Sequence, residues 1–136
     1  MQCIVHSVAL QTASFEEAFN FYTSVLGLRV AREPFSFKTR RLAWLDGGSV
    51  LIELYSGKEG VALDDHSGAH VGPDHIAFAV DDLDSMVEYL REHGVTIIKG
   101  PYIPPSGDPA QPRVLFVEGP DGEEIQFREA APRQQP

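Results

Sequence analysis

A chain of 136 residues, 43% hydrophobic and 23% charged, suits one globular domain or two small modules sharing one fold, and is long enough for a real core. Eleven basic against 20 acidic residues give a net charge of −9. With no Lys/Arg cluster, that balance speaks against a nucleic-acid partner and for a small-molecule one. Cys3 is the single cysteine, so no internal disulfide is possible, and at the start of an apolar run it reads as a small core residue.

The opening MQCIVHSVAL lacks a basic leader region, and its apolar run is broken by His6 and Ser7, so it does not read as a signal peptide. No apolar stretch approaches the roughly 20 residues that span a bilayer. No membrane association and a cytoplasmic location are the expectations.

In chain order, a strand is expected over 3–9 and a helix over 15–26, with Ser14 as N-cap, Glu17 completing a capping box and Gly27 ending it. Phe15, Ala18, Phe19, Tyr22, Val25 and Leu26 form its apolar face. Strands follow near 28–33, 38–46 and 49–55, the last two joined by Asp46-Gly47-Gly48. A linker rich in Gly, Asp and His runs over 56–72. Then come a strand over 74–80 and a helix over 83–93, with Asp82 as N-cap, Leu83, Met86, Val87 and Leu90 as its stripe and Gly94 as its end. Strands near 95–98, 113–118 and 123–129 complete the map, the last two joined by Pro120-Asp121-Gly122. The Pro/Gly-rich segment 100–112 reads as a loop able to cover a site, and 130–136 as a disordered tail.

This order is a repeat. IVHSVALQTASFEEAFNFYTSVLG (4–27) and PDHIAFAVDDLDSMVEYLREHG (73–94) each place a His in a short apolar strand, continue into a capped helix and stop at Gly. LAWLDGGSVLIELYS (42–56) and VLFVEGPDGEEIQFRE (114–129) each read strand, tight turn, strand. The expected fold is α+β: two βαβββ modules, about 1–56 and 73–129, joined by linker 57–72 into one domain over 1–129, with curved mixed sheets around a cleft.

Four polar residues stand at equivalent places on first and last strands: His6 and Glu53, His75 and Gln126. Alternation along each strand puts Glu53, flanked by Ile52 and Leu54, on the concave side, and puts the histidines there too if Val5 and Ile76 pack toward the helices. A carboxylate inside an apolar strand needs a partner, either a metal ion or an Arg. Imidazole nitrogen with carboxylate and amide oxygen suits one divalent Zn, Ni, Co, Mn or Fe and leaves positions open for water or substrate. A single strand His is usually structural; the matched repeat positions favour ligation. His66, His70 and His93, in the linker or at a helix end, read as solvated.

VHSVAL, FYTSVLGLRV, LIELYS, DHIAFAVDDLD and GPDGEEIQF together resemble the vicinal-oxygen-chelate superfamily, over residues 3–129. That group includes glyoxalase I, methylmalonyl-CoA epimerase, extradiol dioxygenases, and fosfomycin- and bleomycin-resistance proteins. The resemblance implies metal ligands at His6, Glu53, His75 and Gln126. Gln126 stands where Glu is usual, which makes the dioxygenase and fosfomycin-resistance chemistries less apt. It implies Glu53 as ligand and general base in a lyase or isomerase that moves a proton α to a carbonyl through a metal-stabilised enediolate. Leu10 and Gly57 occupy places where glyoxalase I of this type carries an Arg and an Asn for glutathione, so lactoylglutathione is in doubt.

Arg32, Lys38, Arg40, Arg41 and Arg113 are alternative contacts for an anionic substrate, set against a reading as solvated charges. The competing functions are a methylmalonyl-CoA-epimerase-like epimerase, a non-catalytic bleomycin-resistance-like binder using Phe35, Phe37, Trp44 and Tyr102, and a dioxygenase. The resemblance also implies a homodimer.

Overall fold

The computed structural model describes residues 1–64, 70–105 and 112–130. The chain forms two units, Met1–His66 and Ser67–Pro136. Unit 1 runs β1 (Ser7–Thr12), α1 (Phe15–Asn20) with a π-helical turn over Phe21–Val25, β2 (Arg29–Phe37), β3 (Arg40–Asp46) and β4 (Leu51–Ser56). Unit 2 runs β5 (Ile76–Val80), α2 (Leu83–Glu92), β6 (Ile97–Tyr102), β7 (Val114–Glu118) and β8 (Glu124–Glu129). The sheets are ordered β1-β4-β3-β2 and β5-β8-β7-β6, the first pair parallel and the rest antiparallel. The α+β fold of two βαβββ modules is therefore present, each module a four-stranded mixed sheet.

One face of each sheet is the core. In unit 1, Ile52 and Leu54 of β4 pair with Leu45 and Ala43 of β3, and all four are buried. Arg41, two residues before Ala43, pairs with Glu16 and lies over the Phe15 ring, which makes this the helix-bearing face. In unit 2, Leu115 and Val117 pair with Phe127 and Ile125 on the corresponding face, and Leu83, Val87 and Leu90 of α2 are buried. Arg113 repeats the role of Arg41: it holds Asp84 at the start of α2 together with Glu129 of β8. The Arg113 guanidinium keeps the Glu129 carboxyl below the usual carboxylate range.

Both first strands begin later than expected, at Ser7 and Ile76 instead of 3 and 74. The turns set this. Gly47 N–H donates to Val50 O, so residues 47–50 close the β3–β4 turn, and Leu51 N–H donating to His6 O opens the β1 pairing. Residues 3–5 then have no strand beside them. Cys3 is exposed, not in the core, and Val5 is 64% exposed, not packed toward the helix.

The first helix departs from a regular one as well. Ser14 makes no side-chain cap, and its N–H, which the Glu17 side chain would accept in a capping box, donates to Thr12 Oγ1 instead, so the expected capping box is not formed. The π-helical turn adds a residue and rotates Phe21 into the core beside Tyr22. Asp82 caps α2 as expected, accepting from Ser85 N–H, and those bonds hold its carboxyl below its usual range. Gly94 (φ 73°) closes α2, with Val95 N–H on Leu90 O and Gly94 N–H on Arg91 O. Gly94→Ala forces a side chain into the left-handed region and is expected to lower stability by about 1–2 kcal/mol, read from the urea midpoint.

Strand β6 runs on to Tyr102, so 100–102 belong to the sheet and not to a loop. His66, 106–111 of the expected covering loop, and 131–136 of the expected tail lie outside the described residues. No helix among the described residues is long and apolar enough to cross a membrane.

Candidate metal centre

The face of each sheet opposite the helix carries the oxygen donors. Glu53, on β4, pairs with Ala9 of β1 on one side and Trp44 of β3 on the other. Gln126, on β8, pairs with Ala77 and Phe116 in the same way. Each donor therefore stands between an alanine, which leaves room beside it, and an aromatic wall. Glu53 is half-buried, and among the described residues its carboxylate makes no hydrogen bond or ion pair. A half-buried carboxylate without a partner is what an absent cation would explain.

His75 lies directly before β5 and two residues from Ala77, so the pleat gives it the face of Gln126. Its ring meets Phe116, the neighbour of Gln126, edge-on at 5.2 Å. Nδ1 is 2.7 Å from Asp74 Oδ2, an orienting contact that leaves Nε2 for a ligand. Unit 2 thus puts His75 and Gln126 on one face of its sheet, with Phe116 beside both.

Unit 1 is less direct. The pairing Ala9–Glu53 gives Glu53 the face of Ser7 and Gln11, while Val8 and Leu10 share the face of Ile52 and Leu54. His6 lies outside β1, so strand alternation does not carry it to Glu53 as expected from a strand over 3–9. Its carbonyl holds the start of β4, and it lines a cavity of about 420 Å³ with Asp46 and Leu51. Each unit by itself supplies one nitrogen and one oxygen donor. Among the described residues, no group of three or more His, Cys, Asp and Glu side chains gathers. Carboxylate, imidazole and amide oxygen are donor types that a divalent ion accepts, and unit 2 offers His75 and Gln126 on one sheet face; in unit 1 the ladder place that corresponds to His75 is Ser7, next to His6.

The other two described histidines are accounted for locally. His93 Nδ1 meets Tyr89 O at 2.8 Å, and His70 Nε2 meets Pro73 O at 2.8 Å. Of the basic residues, Arg40 donates to Ser56 O and Gln11 Oε1, and Arg41 and Arg113 are held in ion pairs.

Sequence reading named Arg32 among several cations but missed Lys99 and the match between the two. On both sheets a cation completes the donor row: Arg32 of β2 pairs with Trp44, and Lys99 of β6 pairs with Phe116. Each lies 4.9 Å from the centre of that ring. Both sit between two register shifts, Val30/Arg32 and Arg32/Phe35 in one sheet, Ile97/Lys99 and Lys99/Tyr102 in the other. The signal was the repeat itself, continued one strand further than the donors.

A repeated βαβββ fold of two four-stranded mixed sheets defines a class, and the comparisons agree. Residues 4–127 match the Glyoxalase/Bleomycin resistance protein/Dioxygenase superfamily, and the chain belongs to it. It is 30% identical over 132 residues to the uncharacterized protein YaeR of Escherichia coli, covering 92% of this chain and 95% of that one. It is 28% identical over 130 residues to a lactoylglutathione lyase of Haemophilus influenzae, covering 93% and 91%. The crystal structure of SMU.1112c superposes with a TM-score of 0.80 at 22% identity, over 95% of this chain and all of that one, which shows the shared fold. Members of the superfamily bind small molecules and often hold a divalent metal.

Proposed function

We propose that the chain is a metal-dependent lyase or isomerase of the glyoxalase I type, moving a proton α to a carbonyl. The observation that carries this reading is Glu53: a half-buried carboxylate with no partner among the described residues, at the ladder position that Gln126 occupies in the second module. The residues that would hold the ion are His6, Glu53, His75 and Gln126, completed within one chain or across a homodimer. A bound Zn, Ni, Co, Mn or Fe ion supplies Lewis-acid stabilisation of the charge that develops on the carbonyl oxygen.

The protein's own groups do the rest. Glu53 takes the proton from the hydroxyl-bearing carbon beside the carbonyl and returns it to the former carbonyl carbon, while the hydroxyl proton passes to the former carbonyl oxygen. Ala9 leaves space next to that carboxylate for a substrate carbon, and Trp44 walls the other side against water. Asp74 fixes the ring of His75. The 28% identity to a lactoylglutathione lyase supports the reaction class. Leu10 and Gly57 leave the thiol of the substrate open.

Metal content measured by mass spectrometry, on protein purified without chelator or metal-affinity tag, tests the reading. A near-stoichiometric divalent metal is expected in the wild type, reduced in Glu53→Gln and lost in His75→Ala. No metal, and no uptake on adding these ions, would overturn it and leave a small-molecule binder.

A further inference from the structure

We propose that Arg32 is an anion-binding residue on the Glu53 face, and that the substrate is an α-oxygenated carbonyl compound ending in a carboxylate or phosphate. The substrate part of this inference rests on the proposed function of Glu53; anion binding at Arg32 does not.

The guanidinium carbon of Arg32 lies 3.5 Å from the centre of the Phe35 ring, close enough to stack on it, and 4.9 Å from the centre of the Trp44 ring, which stands edge-on to Phe35. Stacking uses the planar faces of the group and leaves its in-plane N–H donors free. Among the described residues those donors meet no acceptor, and Arg32 has no acidic partner. Arg40, Arg41 and Arg113 are spent on partners of their own: Arg40 on Ser56 and Gln11, Arg41 on Glu16, Arg113 on Asp84 and Glu129. In a chain of net charge −9, an arginine held by two aromatic rings and no carboxylate is set aside for another anion.

Its placement is specific. Register shifts on both sides of Arg32 bend β2 there, the device that re-aims a side chain beside a functional site. Arg32, Trp44 and Glu53 stand opposite one another on β2, β3 and β4. Two strand spacings separate the Arg32 and Glu53 backbones, roughly 10 Å. A molecule with its carbonyl carbon at Glu53 and its anionic end a few bonds away reaches the Arg32 donors across the Trp44 ring. The stretch between the two ends lies over an aromatic surface, so it is apolar or lightly substituted.

Trp44 is the chain's single tryptophan and lies under the Arg32 guanidinium, so its fluorescence reports an anion that engages or displaces that group. The experiment titrates the full chain with glycerol 3-phosphate, inorganic phosphate and glutarate, and with glycerol and glutaramide as neutral counterparts. It compares wild type, Arg32→Gln, Arg32→Lys and Glu53→Gln. A saturable change with an anion and none with its neutral counterpart is expected in the wild type. Arg32→Gln weakens it at least tenfold and Arg32→Lys less, while Glu53→Gln leaves it equal or tighter. A response confined to the phosphates, or to glutarate, assigns the anionic group.

Equal affinity in wild type and Arg32→Gln, or no saturable response to any of the anions, overturns the proposal. Arg32 is exposed, so its variants keep the wild-type circular dichroism. The titration needs neither turnover nor added metal, so a failed metal reading at Glu53 leaves its result intact, and the converse holds.

Discussion

Glu53→Gln is expected to lower turnover by a factor of about 10²–10⁴, the usual contribution of a positioned general base. The substitution keeps shape and hydrogen-bonding capacity, and an amide oxygen remains a possible ligand, the role proposed for Gln126. What it removes is the ability to take a proton. Metal affinity and turnover therefore separate: the variant assayed at saturating metal still fails, although it binds the ion. Exchange of the α-proton of a hemithioacetal, followed by proton NMR in D₂O, reads the step directly. Methylglyoxal combined with glutathione or another small thiol supplies the substrate. Exchange within twofold of wild type at saturating metal would remove Glu53 as the base.

The fold was legible in the sequence because its signals are local and occur twice. Asp82 before Leu83, Gly94 after the last turn, and the Asp46-Gly47-Gly48 and Pro120-Asp121-Gly122 turns each act within a few residues, and each element appears in its expected order. Errors arose where a boundary depends on a partner strand. Residues 3–5 are apolar enough for a strand, but the turn over 47–50 ends β4 before it can pair with them. The length of the first helix failed for another reason: Thr12 Oγ1 competes for Ser14 N–H, and the π-helical turn shifts Phe21 inward, neither of which has a periodic signature.

The places of the candidate residues were legible on the last strand of each module and less so before the first. Glu53 and Gln126 share a register position, with alanine on one side and an aromatic on the other, as the repeat implied. His75 follows the pleat to Gln126, whereas His6 stands outside its strand, where alternation decides nothing. Arg32 was one of several candidate cations. Only the packing separates it from Arg41 and Arg113, because an ion pair across a sheet or onto a helix depends on residues 16 to 29 positions away.

Leu54→Ala is expected to cost about 2–5 kcal/mol, a sizeable fraction of the roughly 5–15 kcal/mol that holds a domain folded. Leu54 is fully buried, with Ala43 beside it on β3 and Leu10 on β1. Alanine at 43 has no side chain to swing into the space that the shortened residue leaves, so the cavity persists and its cost adds to the lost burial. Leu54→Met, which nearly conserves volume, is expected to cost less than about 1.5 kcal/mol. Urea unfolding of both variants checks the pair. A loss below about 1 kcal/mol in Leu54→Ala would contradict the packing described for this face. Leu54 also follows Glu53 on the same strand, and its anchoring on the helix side holds the carboxylate on the other. In Leu54→Ala, metal affinity should therefore weaken along with stability, whereas in Glu53→Gln stability should stay near wild type. The contrast separates a residue that positions the donor from the donor itself.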